Sequence, residues 1–271
     1  MFRSYRLQDG TKEKRGSELT EIFRWLHSAV FWFLTLFYSV IIYTASYIAA
    51  LFIINKDEKS RFYQKGARLW GCLLADASMM KVKVSGLENI PDDTNVIFAP
   101  NHQSYLDIFI LLKYLPGSFR FIIMRKLFKV PLIGPYITKA GFVSLDRKDR
   151  KRSIETIHLI IDMLKNNESF VIFPEGKLTK DGSIGEFGRG ASIIIQRSRK
   201  PVIPISIDGT FEILPKGAWK LRPAEVKVSI GKPVYFEKHY GDLDKRTSLD
   251  LGNELRNLVV SLIDKGRAEA C

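Results

Sequence analysis

The stretch from Trp25 to Asn55 contains no Asp, Glu, Lys or Arg, no glycine and no proline. Its centre reads AVFWFLTLFYSVIIYTASYIAALFII. At a rise of about 1.5 Å per residue, a helix of that length exceeds a hydrocarbon core of about 30 Å. The run is apolar on every face, which argues against an ordinary amphipathic surface helix. It is too long for the core of a signal peptide, and a polar segment precedes it. The run therefore reads as a membrane anchor, with a buried core helix as the alternative. Flanking charge does not orient it. Arg6, Lys12, Lys14, Arg15 and Arg24 lie before it, and Lys56, Lys59, Arg61, Lys65 and Arg68 lie after it.

Three segments follow from this. Residues 1–24 are mixed in charge and read as a poorly ordered polar segment. Residues 25–80 read as membrane-anchoring helices. Within them, 59–78 has a helical pattern with Phe62, Leu69, Leu73 and Leu74 on one face, as in an interfacial helix or an ordinary surface helix. Residues 81–271 read as one α/β domain. Short β-branched runs (KVKVSG, NVIFAP, FRFIIM, AGFVSL, SFVIFP, PVIPISI, EVKVSIG) alternate there with helical patterns near 104–115, 151–166, 187–198 and 246–265. That alternation predicts an α/β sheet with helices on its faces.

The chain has 42 basic and 29 acidic residues, a net charge of +13. This excess favours a polyanionic partner such as nucleic acid, an anionic membrane or a phosphorylated substrate. The two cysteines, Cys72 and Cys271, form no cluster with histidine, and no usual structural zinc pattern is present.

Four stretches carry chemistry. In NVIFAPNHQSYLDIF a strand ends near Ala99, Pro100 breaks it and a helix begins near Ser104. Ligands of open α/β folds bind at such strand ends. Residues five apart on one ideal helix are rotated about 140° from each other, so His102 and Asp107 pair only if His102 lies in the loop. Asp107 would then orient the imidazole and leave its other nitrogen to take a proton. The alternative is a loop histidine beside a first-turn aspartate that complements the helix dipole. In SFVIFPEGKLTKDG, Pro174, Glu175 and Gly176 make a turn whose backbone N–H groups suit a developing oxyanion. Lys177, Lys180 and Arg189 add positive charge there. In GFVSLDRKDRKRS, Arg147 leads a basic cluster at a strand-to-helix junction suited to phosphate, or to an anionic lipid surface. In RKPVIPISIDGT, two prolines predict an edge strand or one interrupted near a pocket. The apolar loop KLFKVPLIGPYI, 126–137, reads as an interfacial or acyl-lining segment, or as a short packed helix.

Taken together, these blocks resemble the 1-acylglycerol-3-phosphate O-acyltransferase family. NHQSYLD is similar to its N-H-x-x-x-x-D block, GFVSLDR to the second block, FPEGKL to F-P-E-G-T-R and PVIPISI to the fourth, in family order across roughly residues 75–235. The resemblance implies a glycerolipid acyltransferase-like fold, a mixed sheet flanked by helices behind an N-terminal membrane-anchoring helical segment, and a membrane-bound enzyme. That enzyme would acylate the sn-2 hydroxyl of lysophosphatidic acid from acyl-CoA or acyl carrier protein. It would need no metal or other cofactor and no nucleic acid. His102 and Asp107 would be catalytic. Asn101, Arg147, Glu175, Gly176 and Lys177 would bind substrate. Anionic membrane lipids would be partners, with the catalytic domain facing the cytoplasm from the inner membrane. One position departs from the pattern: Lys177-Leu178 stands where the family carries Thr-Arg, which removes an arginine credited with gripping the acceptor phosphate. This keeps another lysophospholipid or glycerol 3-phosphate open as acceptor. A non-catalytic basic membrane tether is the reading outside enzymes.

Overall fold

The structure, a computed structural model, describes residues 5–92, 94–146, 149–239 and 245–268, with side chains from residue 18 and, in the last segment, from residue 246. Seven strands form one sheet: β1 (Lys81–Ser85), β2 (Ile97–Pro100), β3 (Arg120–Met124), β4 (Val143–Leu145), β5 (Phe170–Val171), β6 (Val202–Asp208) and β7 (Glu225–Ile230). Their order is β1-β7-β6-β2-β5-β3-β4. All neighbours are parallel except the antiparallel pair β6 and β7. The sheet is therefore mixed, as the resemblance implies.

The central strands are apolar on both faces because both faces are covered. In β2, Phe98 joins a cluster with Phe31, Leu74, Ile110 and Leu111. Its neighbours Ile97 and Ala99 point the other way, into a cluster with Ile160, Leu164, Ile194 and Leu255. The first layer thus holds helices α1 (Tyr5–Ala49), α2 (Lys56–Ala77) and α3 (Leu106–Tyr114). The second holds α5 (Arg150–Lys165), α6 (Arg189–Ser198) and α8 (Lys245–Ala268). Between β3 and β4, the short helix α4 (Ile133–Lys139) packs Tyr136 against Tyr43 of α1 and Tyr63 of α2. The apolar loop of residues 126–137 thus includes a short packed helix.

Helix α1 runs without a break across residue 24. Its side-chain arrangement inverts that of a soluble helix. His27, Ser28, Ser39 and Ser46 are buried, whereas Trp25, Phe33, Leu36, Phe37, Ile41 and Ile48 are exposed. The polar groups bond inward: Ser28 accepts from the Leu221 N–H at 2.8 Å, and Ser39 accepts from the Trp70 indole at 3.0 Å. Within the span Glu18–Phe52 the most apolar 18-residue window has a mean hydropathy of 1.7, and only 28% of it is buried, too little for a core helix. By length and composition it could cross a membrane.

Two expectations are corrected. Helix α2 buries Tyr63, Ala67, Gly71, Leu74 and Ala75, whereas Leu69 is exposed. A small-residue face wins because α2 lies close against α3: a Cβ on Gly71 would fall 2.6 Å from the Leu112 Cβ. Strand β6 is not an edge, since it lies between β7 and β2. Pro204 is accommodated where the β7 ladder stops. Regular pairing ends at Ile205 with Ile230, Gly231 N–H donates to the Pro204 carbonyl at 2.9 Å, and pairing returns only at Val202 with Val234.

Gly71→Val should destabilise the protein by about 1–3 kcal/mol through overpacking against Leu112. Chemical denaturation in detergent, followed by tryptophan fluorescence, measures it; an unchanged midpoint would contradict the close α2–α3 packing.

Candidate active site

Strand order brings the chemistry together. β6, β2 and β5 are adjacent and parallel, so the residues that follow them emerge side by side. His102 follows β2, Phe173–Glu175 follow β5, and Gly209–Thr210 follow β6. The chain leaves β2 through α3 for β3 on one side and leaves β5 through α6 for β6 on the other, so the crevice lies where the winding reverses.

Asp107 is the second residue of α3 and is fully buried. Its Oδ2 lies 2.8 Å from His102 Nδ1 and accepts the N–H groups of Gln103 at 2.7 Å and Ser104 at 3.0 Å. A carboxylate only accepts, so Nδ1 carries the proton and Nε2 presents a lone pair. The His102 side chain keeps 14% exposure, enough for that nitrogen to meet a ligand. The imidazole stacks on Phe173 with ring centroids 3.8 Å apart and planes 22° apart. On its far side, Asp107 Oδ1 accepts the Thr210 hydroxyl at 2.6 Å.

Glu175 holds the backbone of the same histidine. Oε1 accepts the His102 N–H at 2.8 Å and Oε2 accepts the Gly185 N–H at 2.9 Å. The Thr179 N–H in turn donates to the His102 carbonyl at 3.0 Å. Burial pushes the Glu175 carboxyl above the usual carboxylate range, against the pull of the Gly185 and His102 N–H groups.

The remaining expected residues fare differently. Asn101 is buried, and its amide is engaged on both sides by Ile207: Nδ2 donates to the carbonyl at 2.8 Å and Oδ1 accepts the N–H at 2.7 Å. It extends the β2–β6 ladder by one side-chain rung. The Gly176 N–H donates to the Phe173 carbonyl at 2.9 Å, closing the turn with φ at 67°, so it is not an open oxyanion donor. Glu175, with both oxygens on backbone N–H groups, holds loops rather than offering a free contact. Lys177 is exposed and Leu178 is buried, so the side chain at the family's arginine position turns into the core. Arg147 lies outside the described residues; Asp146, which precedes it in sequence, pairs with Arg125 at 2.9 Å. The other histidines bond elsewhere: His27 to the Ala77 carbonyl, His158 to Arg197 and His239 to Glu254.

Sequence reasoning did not single out Phe173 or Thr210 individually. Phe173 ends an apolar strand and looks like core. Thr210 follows Gly209, whose φ of 109° and approach to the Glu225 carbonyl (2.4 Å from an added Cβ) mark a required turn. A glycine straight after a strand was the available signal.

A crevice at parallel strand ends, holding a histidine oriented by a buried aspartate five residues on, is the arrangement of an acyltransferase domain. The family model described as Acyltransferase matches residues 81–208. The chain is 36% identical over 182 residues to the chloroplastic 1-acyl-sn-glycerol-3-phosphate acyltransferase BAT2 of Brassica napus, covering 66% of this chain and 52% of that protein. It is 35% identical to the LPAT1 enzyme of Arabidopsis thaliana, covering 66% and 51%. The chain spans about half the length of these curated relatives. The crystal structure of the 1-acyl-sn-glycerophosphate acyltransferase PlsC of Thermotoga maritima superposes with a TM-score of 0.78 at 27% identity, covering 92% of this chain and 98% of that one. The chain belongs to the 1-acyl-sn-glycerol-3-phosphate acyltransferase family.

Glu175→Gln should cost about 1–3 kcal/mol at low pH, since an amide cannot accept both N–H groups. Because the folded carboxyl is raised, its contribution is full below the unfolded pKa and falls as pH rises through the folded value. Urea unfolding of both proteins across pH should therefore show the wild-type margin shrinking towards neutral pH; a growing margin would contradict the shift.

Proposed function

We propose that this protein is a membrane-bound acyltransferase. It moves a fatty acyl group from a thioester donor, acyl-CoA or acyl carrier protein, to the sn-2 hydroxyl of 1-acylglycerol 3-phosphate, giving phosphatidic acid. The observation that carries the reading is the 2.8 Å bond from His102 Nδ1 to buried Asp107 at open strand ends. The names of the relatives support the acceptor.

In this reading His102 Nε2 removes the hydroxyl proton as the oxygen attacks the thioester carbonyl. Asp107 stabilises the imidazolium that forms. Collapse of the tetrahedral intermediate breaks the C–S bond, and the thiolate takes the proton from His102. No acyl-enzyme forms, and no metal or other cofactor is needed, because a thioester is already activated. Phe173, stacked on the ring, favours the cationic imidazolium. Arg147, Lys177 and their basic neighbours hold the acceptor phosphate. Buried Leu178 favours a second reading, in which the acceptor is another lysophospholipid or glycerol 3-phosphate.

The inverted pattern of α1 supports the membrane reading, since large apolar side chains face outward while serines face inward. Exposed Lys56, Lys126 and Lys129 suit anionic headgroups. A soluble thioester donor would set the catalytic domain on the cytoplasmic side.

His102→Ala should lower thiol release in lipid vesicles by at least about 10²–10⁴, and Asp107→Asn should lower it comparably, with the fold intact by circular dichroism. Substantial acceptor-dependent release by the alanine variant would remove His102 as base. Replacing Phe33 and Leu36 together by Arg should weaken vesicle partition by about 100-fold or more, since each side chain contributes about 1.5–3 kcal/mol when buried; unchanged flotation would contradict the role of α1.

A further inference from the structure

The pairing of His102 with Asp107 uses one carboxylate oxygen. The other is held by a residue 103 positions away in sequence, at the end of a different strand. We propose that Thr210 is a positioning residue for the reaction, the third member of a hydroxyl–carboxylate–imidazole chain. Its hydroxyl fixes the rotation of the Asp107 carboxylate so that Oδ2 meets His102. This inference rests on the reading of His102 and Asp107 as base and orienter.

The terminal torsion of an aspartate is broad, so a carboxylate held at one oxygen alone can swing. Here Oδ2 must serve three donors at once: the His102 ring and the N–H groups of Gln103 and Ser104. A fixed Oδ1 keeps that set aligned. Asp107 and Thr210 are both fully buried, so bulk water cannot take the hydroxyl's place. The 2.6 Å separation lies in the range of an O–H donating to a carboxylate. The one hydroxyl proton has a rival acceptor, Gln103 Oε1, but that oxygen is 3.5 Å away and takes the Gly209 N–H at 3.2 Å.

Thr210 is itself well anchored. Gly209 turns the chain with φ at 109°, where an added Cβ would strike the Glu225 carbonyl, and the Thr210 carbonyl accepts the Leu214 N–H at 3.0 Å. A β-branched side chain adds stiffness at χ1. The position of the hydroxyl is thus set by the β6–β7 pairing, and the base inherits its alignment from a strand it does not belong to.

The test compares Thr210→Val, which keeps the shape and removes the donor, with Thr210→Ser, which keeps the donor. Turnover is measured as thiol release in lipid vesicles with acyl-CoA and 1-acylglycerol 3-phosphate. Thr210→Val should lower kcat by about 10–100-fold, the range implied by losing a hydrogen bond to a charged group, with KM for both substrates little changed. Thr210→Ser should recover turnover to within about threefold of wild type. In an Asp107→Asn background, Thr210→Val should cost little more, because the two act as a unit. A valine variant with wild-type kcat, a serine variant as slow as valine, or losses that multiply in the double variant would each overturn the proposal. If the valine variant does not fold, serine is compared with Thr210→Ala, and equal rates would overturn it. Retained activity in His102→Ala would instead bring down the reading beneath.

Discussion

The buried carboxylate of Asp107 is the constraint around which the site is organised. A charged group removed from water is tolerated only where donors surround it. Its four donors come from the loop after β2, through His102, Gln103 and Ser104, and from Thr210 after β6. These segments can converge only if β2 and β6 are neighbours and end at the same height. The side chain of Asn101, bridging to Ile207, sets that height. From the other flank β5 contributes Glu175, which grips the backbone N–H of His102, and Phe173, which stacks on its ring. The histidine is thus held at its main chain by one carboxylate and at its ring by another.

The first layer of helices presents a different surface. In α1 the serines and His27 bond inward, and the exposed surface is aromatic and aliphatic. Such a helix has little amphipathic signature because its docked stripe is hardly more apolar than its outer face. Helix α2 mediates between this element and the domain. Its Gly71 allows close approach to α3, the helix that carries Asp107, while Ala67 packs with Tyr43 and Tyr136. Helix α1 and the site therefore share a core through Phe31, Leu74, Ile110 and Leu111.

Much of this was legible in the sequence. The seven β-branched runs correspond to the seven strands. Helical geometry allowed His102 to pair with Asp107 only from the loop before the helix, and the structure places it there. Other features resisted. The prolines of 201–204 suggested an edge, yet Pro204 sits in a central strand, because the irregular segment from Gly231 to Val234 leaves its missing N–H unopposed. The α2 face was misjudged because large residues usually mark the buried side, whereas close packing selects small ones. Asn101 and Gly176 were expected to contact substrate, but their polar groups already bond within the fold.

By itself the sequence determined the local chemistry: an apolar span too long for a small core helix, an alternation that demands a covered sheet, and a histidine set before a helix whose first turn bears a carboxylate. Each is a short-range property, carried by spacing and side-chain type. Only the tertiary structure decided which strands are neighbours, and hence that Thr210, Glu175 and Phe173 surround His102. It alone decided which face of α1 is docked. Those outcomes depend on pairings between residues far apart along the chain, chosen by shared burial and hydrogen-bond satisfaction rather than by any local pattern.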